Sequence, residues 1–256
     1  MLPDQTRFLS AGPPSSRRNV PVVIELVAFD GDDTLWHNES IFSMTQQRFS
    51  DLMEPYVQDD DLADRLFATE MRNLRLFGYG VKSFTLSMIE TAIELSDARV
   101  TAEEIAAIIH AGRSMLQHPV ELLDGVESAI ERVSEQCAVM LITKGDLFDQ
   151  ESKLARSGLG DRFEAVEIVA EKDEACYRRI LSGRGVPADR FVMVGNSGRS
   201  DILPTLALGA WAVHVPYPLT WAHERIDDAT LEANERYRRI DSLAELPVVL
   251  AGLAAS

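Results

Sequence analysis

One short apolar run lies near the start of the chain, and several more lie after Pro119, where amphipathic stretches separate them. The runs are aliphatic and often β-branched with little polar alternation, which is typical of strands buried on both faces. They lie at residues 22–29, 138–142, 165–169, 190–194 and 210–215. Apolar residues recur at helical spacing at 126–135, 148–157, 173–181 and 200–208. This alternation predicts a parallel sheet with helices on both faces.

The segment between residues 38 and 118 has a different pattern. Four stretches show helical spacing with no convincing strand, and Gly78 and Gly80 separate the second from the third. Thr101, followed three residues later by Glu104, predicts the start of the fourth helix. We therefore expect a helical insertion, residues 37–118, above the strand ends of an α/β core formed by residues 20–36 and 119–256.

Composition narrows the class of protein. The chain has 256 residues, 46% of them hydrophobic, which suffices for one core plus a smaller domain. A net charge of −16 argues against nucleic-acid binding, which requires clustered cations. No stretch approaches the roughly 20 apolar residues that span a bilayer. Residues 1–19 lack the apolar region of a secretory signal, so we expect a flexible leader on a cytoplasmic protein.

The chain has two cysteines, Cys137 and Cys176. Their number permits one disulfide, but the apolar and helical surroundings favour two buried free thiols. We expect free thiols, in keeping with a cytoplasmic location.

The first apolar run ends in closely spaced carboxylates. Asp30 follows it directly, and Asp32 comes two positions later. Ligands of open α/β sheets bind at the carboxyl ends of strands, and side chains at this spacing in an extended chain point the same way. Burying both is costly unless a cation or a shared proton offsets their repulsion. The pattern indicates a metal site, an acid–base pair or both; an ordinary acidic turn is the alternative.

With Thr34, these residues form an Asp-x-Asp-x-Thr pattern that resembles the first motif of the haloacid dehalogenase-like hydrolase superfamily. The resemblance implies a Rossmann-like three-layer α/β core with a parallel sheet and an inserted α-helical cap domain. It also implies that Asp30 is a nucleophile that takes up a phosphoryl group, that Asp32 is a general acid and base, and that Mg²⁺ lies between them. Three further motifs should follow in order.

Two of these motifs are found at later strand ends. Thr143, Lys144 and Gly145 resemble the second motif, whose hydroxyl and backbone N–H groups bind the phosphoryl oxygens. The Lys144 ammonium is the alternative phosphate contact. Lys172, where a strand passes into a helix, fits the third motif, a catalytic Lys that stabilises negative charge. Lys153 competes with it, but its position within a predicted helix favours a solvated surface role. The resemblance assigns a catalytic role to Thr143 as well.

Residues 195–201 match the fourth motif with one departure. The family usually has Gly-Asp here and a second Asp a few residues later, whereas this chain has Asn196 and retains Asp201. An Asn carbonyl can ligate Mg²⁺ but brings no charge, so we expect weaker metal binding. In the alternative, the retained Asp201 would coordinate the ion directly or through water. The resemblance therefore implies Asp30, Asp32, Asn196 and Asp201 as metal ligands.

The helical insertion resembles the family's helical cap of the first type. Tyr79 and Lys82 flank its glycine break and are candidate substrate-binding residues. In the alternative interpretation, Tyr79 belongs to the apolar core of the insertion and Lys82 to its solvated surface.

The four motifs imply a Mg²⁺-dependent phosphatase that hydrolyses a small phosphorylated metabolite through an aspartyl-phosphate intermediate. Asp32 favours phosphate chemistry over dehalogenation, because the dehalogenase branch of the family lacks this second Asp. A phosphomutase or other phosphotransferase of the same family is one alternative. A catalytically impaired ligand-binding member, suggested by Asn196, and a 2-haloacid dehalogenase are the others.

Overall fold

A six-stranded parallel sheet forms the centre of the protein in a computed structural model that describes residues 23–57 and 61–254. The strands are β1 (Leu26–Phe29), β2 (Ala138–Lys144), β3 (Ala165–Val169), β4 (Phe191–Gly195), β5 (Trp211–His214) and β6 (Tyr237–Arg239). Their order is β3-β2-β1-β4-β5-β6, and all neighbouring pairs are parallel. The predicted Rossmann-like parallel sheet is confirmed. The chain runs outward to one side of β1 and then to the other, which leaves a crevice at the carboxyl ends of β1 and β4.

The helices follow the predicted order. Between β1 and β2 lie α1 (Glu39–Met53), α2 (Leu62–Phe77), α3 (Val81–Leu95), α4 (Ala102–Gln117) and α5 (Val126–Ser134). They are followed by α6 (Leu147–Ser157), α7 (Glu174–Arg184), α8 (Leu203–Ala207), α9 (Asp228–Glu232) and α10 (Leu246–Ala254). The elements β6, α9 and α10 lie beyond residue 215, where the apolar pattern predicted nothing.

Both faces of the sheet are buried, as continuous apolar strands predict. Val27 and Phe29 of β1 pack in a cluster with α5 and α10, whereas Leu26 and Ala28 pack on the opposite face with α7. All four are at most 2% exposed. Burial of each larger apolar side chain stabilises the fold by roughly 1.5–3 kcal/mol. Strand β1 is therefore fixed at the centre, which gives the next residue, Asp30, a defined position.

The helical insertion has an apolar cluster of its own, to which all four of its helices contribute. Its buried members include Phe49, Met53, Leu66, Met88 and Ile108. The predicted start of α4 is confirmed, because the Thr101 hydroxyl accepts the Glu104 N–H at 3.2 Å while the Glu104 carboxylate accepts the Thr101 N–H at 2.7 Å. The predicted domain boundaries stay predictions, and the leader, residues 1–19, lies outside the described residues.

The glycine break between α2 and α3 directs Tyr79 toward the α/β core. Gly78 and Gly80 have φ angles of 73° and 108°, a region that other residues rarely adopt. The N–H of Gly78 donates to the carbonyl of Leu74 at 3.0 Å and ends α2.

The two cysteines, Cys137 and Cys176, are free and partly buried, which confirms the expectation of free thiols. Across residues 23–57 and 61–254, no helix combines the length and apolar character needed to cross a membrane.

Candidate active site

Side chains at three neighbouring strand ends meet at the carboxyl edge of the sheet. Strand β1 lies between β2 and β4, so Asp30, Thr143 and Asn196 are brought to the same edge. Asp30 is 7% exposed, and its N–H donates to the carbonyl of Val194 at 2.9 Å. This bond extends the β1–β4 pairing by one residue and fixes where the Asp30 side chain leaves the sheet.

Lys172 lies between two buried carboxylates. Its Nζ atom is 2.5 Å from Oδ1 of Asp30 and 2.7 Å from Oδ1 of Asp201. Burial lowers the pKa of the Lys172 ammonium, but the charges of Asp201 and Asp30 outweigh burial and hold that pKa above its ordinary value. Lys172 is therefore a charged group in direct contact with the candidate nucleophile.

The Asp30 carboxylate has both an ammonium and a hydroxyl partner. Burial raises the pKa of Asp30, Lys172 opposes the rise, and the Asp201 carboxylate adds to it. The Thr34 hydroxyl donates to Oδ2 of Asp30 at 3.2 Å and favours the ionised form. One ammonium does not balance two carboxylates, so an additional cation beside Asp30 would further favour its ionised, nucleophilic form.

The Asp32 carboxylate has a separate set of partners. It accepts hydrogen bonds from Trp36 Nε1 at 2.6 Å, from Gln150 Nε2 at 2.9 Å and from Lys153 Nζ at 2.9 and 3.0 Å. The expectation that Lys153 has a solvated surface role is wrong, because its side chain is only 12% exposed. Gln150 and Lys153 are three residues apart on α6 and so lie on one helix face.

Lys153 also connects Asp32 to the helical insertion. Its Nζ donates to Oδ1 of Asn38, the residue before α1, at 2.8 Å. Burial lowers the pKa of Lys153, but the carboxylates of Asp32 and Asp149 outweigh burial and raise it above its ordinary value. The candidate acid–base residue is thus held by a buried cation that touches both parts of the protein.

The end of β2 supplies Thr143 and Lys144, followed by Gly145. The Thr143 hydroxyl donates to Oε1 of Gln150 at 3.0 Å, so Thr143 is linked to the cavity through that side chain. The N–H of Gly145 donates to the carbonyl of Val169 at 3.2 Å and continues the β2–β3 pairing. Lys144 and Gly145 line the cavity described below. Their role in phosphate binding stays a prediction.

Asn196 and Asp201 follow β4. The N–H of Asn196 donates to the Thr34 hydroxyl at 3.0 Å, and the Asn196 amide oxygen lies 3.4 Å from the same hydroxyl. Thr34 therefore holds Asn196 beside Asp30. Asp201 is fully buried, and its Oδ2 accepts the N–H of Ser197 at 3.0 Å.

The oxygen donors of Asp30, Asp201 and Asn196 suit Mg²⁺, which prefers hard oxygen ligands. Asp30 and Asp201 contact the same nitrogen of Lys172, so their oxygens are close together. The Asp32 carboxylate is directed to partners on α6 instead. Within the described residues, no three His, Cys, Asp or Glu side chains form a group that could hold a metal. The donor set fits the ion, with two carboxylates and one neutral amide.

A cavity of about 180 Å³ separates the helical insertion from the strand ends. From the α/β core it is lined by Asp30, Asp32, Lys144, Lys172, Asn196, Asp201, Trp221 and Glu224. From the helical insertion it is lined by Glu39, Phe42, Glu70, Tyr79 and Phe84. The carboxylates of Asp30 and Asp32 therefore line the same cavity.

The two residues predicted to bind substrate from the insertion differ in position. Tyr79 lines the cavity, and its hydroxyl donates to Oε2 of Glu171 at 2.7 Å. Lys82 does not line it; its side chain is 55% exposed and pairs with Asp146 at 2.9 Å. A role for Lys82 in substrate binding stays a prediction.

Several residues that line the cavity could not be recognised as site residues from the sequence. Gln150, Glu39 and Glu70 lie within helices at positions that any polar residue could occupy. Glu224 lies in a loop, and only the neighbouring Pro-x-Pro sequence marked that loop as irregular. Their proximity to Asp30 arises from tertiary packing and from no local motif.

Comparison with known proteins identifies relatives. The family described as haloacid dehalogenase-like hydrolase matches residues 24–209. A haloacid dehalogenase-like family hydrolase from Xanthomonas campestris is 43% identical, and the alignment covers 94% of this chain and 96% of that one with a TM-score of 0.82. No significant match was found among curated proteins.

More distant solved structures share the fold. A predicted phosphoglycolate phosphatase from Haemophilus somnus 129PT is 14% identical, with 88% of this chain and 97% of that chain covered and a TM-score of 0.61. A 2-haloacid dehalogenase from Pseudomonas syringae pv. tomato DC3000 is 23% identical, with 90% and 99% covered and a TM-score of 0.57. At these identities the similarity concerns the fold alone.

Proposed function

Since this chain belongs to the haloacid dehalogenase-like hydrolase family, we propose that it is a Mg²⁺-dependent phosphatase that hydrolyses a small phosphorylated metabolite through an aspartyl phosphate on Asp30. The observation that carries the proposal is that Asp32 lines the same cavity as Asp30. A leaving alcohol needs a proton and a leaving halide does not. A second carboxyl group beside the nucleophile therefore favours phosphate esters.

In the first step, a carboxylate oxygen of Asp30 attacks phosphorus, and the bond from phosphorus to the ester oxygen breaks. Lys172 and the Thr34 hydroxyl hold the Asp30 side chain in place. The Lys172 ammonium also offsets negative charge that develops on the transferring group. Thr143 and Lys144 at the end of β2 are the proposed contacts of the phosphoryl oxygens.

Asp32 transfers the protons in both steps. In its protonated form Asp32 donates a proton to the leaving oxygen. The resulting carboxylate then accepts a proton from the water that attacks phosphorus and breaks the bond between phosphorus and Asp30, which restores both side chains. Trp36, Gln150 and Lys153 hold the Asp32 side chain at one position on the cavity wall. Such fixed placement is what proton transfer at a defined oxygen requires.

Asp30, Asp201 and the Asn196 amide oxygen would hold Mg²⁺, which when bound offsets charge on the phosphoryl oxygens. Asn196 contributes an oxygen without a charge, so the affinity for the ion is expected to be lower than with three carboxylates. Asn196→Asp should then reduce the Mg²⁺ concentration required for half-maximal activity.

Lys172 supports a second candidate, a 2-haloacid dehalogenase. In that reaction a carboxylate oxygen of Asp30 displaces halide from carbon, and water then hydrolyses the resulting ester. The contacts of Asp30 with Lys172 and Thr34 already stabilise an ionised nucleophile through residues of the chain itself.

A panel of phosphate monoesters and 2-haloacids distinguishes these functions. Free phosphate released with Mg²⁺ by the wild type, and not by the nearly isosteric Asp30→Asn variant, supports the phosphatase. Halide release supports the dehalogenase, and phosphoryl transfer to a second hydroxyl without free phosphate supports a phosphomutase. If neither the wild type nor Asn196→Asp converts any substrate, the ligand-binding alternative is favoured.

A further inference from the structure

Glu224 lies in the cavity wall but outside the part of the chain that matches the family, residues 24–209. It ends a short 3₁₀ turn, Ala222–Glu224, between β5 and α9. Its side chain is only 12% exposed. A carboxylate buried to this extent requires donors, because desolvation of an unpaired charge is costly.

Three donors surround the Glu224 carboxylate. Lys144 Nζ lies 2.6 Å from Oε1, Ser200 Oγ lies 2.6 Å from Oε2, and Ser197 Oγ also donates to Oε2. Lys144 belongs to the end of β2, and the two serines follow β4. One side chain therefore joins the two strand ends that flank Asp30.

The Lys144 ammonium is held by the same arrangement. Its Nζ donates to Ser200 Oγ at 2.6 Å and lies 3.9 Å from the centre of the Tyr79 ring. Glu171 is the next carboxylate, at 3.6 Å, beyond hydrogen-bond distance. Burial raises the pKa of Glu224, but Lys144 and the hydroxyls of Ser197 and Ser200 together outweigh burial and hold that pKa below its ordinary value.

We propose that Glu224 is a positioning residue of the phosphate-binding site, which fixes the Lys144 ammonium at the cavity edge so that it contacts the phosphoryl group of a bound ester. This inference rests on the proposed phosphatase function. A Lys side chain has a flexible four-carbon stem, and fixing it in advance reduces the conformational entropy lost when the ester binds. The contact is present before bond breaking, so it acts on substrate affinity more than on the chemical step.

A double-variant cycle tests the proposal by measuring KM and kcat for one phosphate ester that the wild type hydrolyses. Glu224→Gln keeps the size of the side chain and removes its charge, and Lys144→Met removes the ammonium. Each single variant should raise KM about tenfold and change kcat less than about twofold. The double variant should match Lys144→Met alone, because both changes remove the same contact. Glu151→Gln, at an exposed position of α6, is the control and should leave both constants unchanged.

Three results of the double-variant cycle would contradict the role proposed for Glu224. KM effects that multiply in the double variant, an unchanged or lower KM in Glu224→Gln, or a fall in kcat as large as the rise in KM would overturn the proposal. If Glu224→Gln does not fold, Glu224→Asp replaces it, because it retains the charge but is too short to reach all three donors. It should raise KM as well, and an unchanged KM would overturn the proposal.

Calorimetric titration with inorganic phosphate separates this inference from the proposed function. A wild type that binds phosphate but hydrolyses no ester contradicts the phosphatase alone, and the same cycle is then measured on the phosphate Kd with the same expected pattern. A wild type that neither hydrolyses esters nor binds phosphate overturns both.

Discussion

At the scale of single residues, the positive charge of Lys172 allows two buried carboxylates to lie close to each other. Asp30 and Asp201 are both buried and both contact its Nζ. Removal of the ammonium leaves their mutual repulsion and desolvation uncompensated. The same contact that orients the candidate nucleophile therefore also stabilises the fold.

Lys172→Met is expected to lower the free energy of unfolding by about 3–5 kcal/mol, the usual cost of leaving a buried partner unpaired. Urea denaturation followed by circular dichroism measures this difference. Lys82→Met is the matched control, because Lys82 is 55% exposed and its pair with Asp146 should contribute less than about 1 kcal/mol. Equal losses in the two variants would contradict the role assigned to Lys172.

Gly195 allows Asp201 to approach the end of β4. A Cβ atom at Gly195 would lie 2.2 Å from Oδ2 of Asp201 and displace that carboxylate. Gly195→Ala should therefore reduce kcat about 10²-fold, the scale expected for misplacing an active-site group by about 1 Å. Gly183→Ala is the control, because no neighbouring atom lies within 4 Å of its added carbon. Full activity of Gly195→Ala would show that Asp201 is not needed where the structure places it.

Most of the site residues that the sequence indicates follow strand ends. Asp30, Lys172 and Asp201 fall at such ends with recognisable spacing, and the structure brings them into contact. Lys153 could not be found in this way, since a lysine within a helix looks the same whether its face is buried or solvated. The position of Glu224 in the cavity wall depends on the path of a loop, which no local sequence pattern specifies.

At the scale of elements, helices α1 and α2 each place a partly buried acid on the cavity wall. Burial raises the pKa of Glu39 to about 8, with the nearby Asp33 carboxylate adding to the effect and Arg225 opposing it. Burial raises the pKa of Glu70 to about 7, and a hydrogen bond from Trp221 opposes this rise. Both helices therefore hold carboxyl groups that titrate near neutral pH.

A pH-dependent stability follows for Glu39. Between its ordinary value of 4.5 and about 8, the folded state retains a proton that the unfolded chain has lost, so rising pH destabilises the wild type. Glu39→Gln should match the wild type near pH 4 and exceed it by about 1 kcal/mol or more at pH 8. Chemical denaturation across this range measures the difference. Glu103→Gln, at an exposed position of α4, should show none, and a constant difference for Glu39→Gln would refute the pKa shift.

Element prediction succeeds where local rules are sufficient. The start of α4 at Thr101 and the strand β2 are each specified by a pattern of only a few consecutive residues. Strand β6 has only three residues, two of them arginines, and lies at the edge of the sheet. Its strand conformation comes from pairing with β5, which the polar sequence does not reveal.

At the scale of the whole molecule, a few polar contacts cross between the helical insertion and the α/β core. Tyr79 donates to Glu171 at 2.7 Å, Lys82 pairs with Asp146 at 2.9 Å, and Asn38 accepts from Lys153 at 2.8 Å. The cavity lies between the same two parts. Relative motion of the parts would open and close that cavity, with Pro119 and Gly125 beside one of the two connections.

Changes in the segment from Gly78 to Phe84 should alter substrate preference more than attack by Asp30. Tyr79→Ala removes one side chain that lines the cavity. Lys82→Ala removes the ion pair with Asp146 that links the helical insertion to the α/β core. We expect each variant to change the ratio of kcat/KM for two unlike phosphate esters by about tenfold. Steady-state kinetics on both esters measure this ratio. If neither the ratio nor either KM changes, the segment is not a specificity element.

In the proposed mechanism, Asp30 carries the phosphoryl group between the two steps. Rapid quenching during turnover of a phosphate ester in ¹⁸O-labelled water, followed by mass spectrometry of the peptide containing Asp30 and of the released phosphate, tests it directly. We expect a phosphorylated Asp30 in the wild type, none in Asp30→Asn, and label in the phosphate and not in the Asp30 carboxylate. Phosphate release without phosphorylated Asp30, or label in the Asp30 carboxylate, would contradict the proposed mechanism.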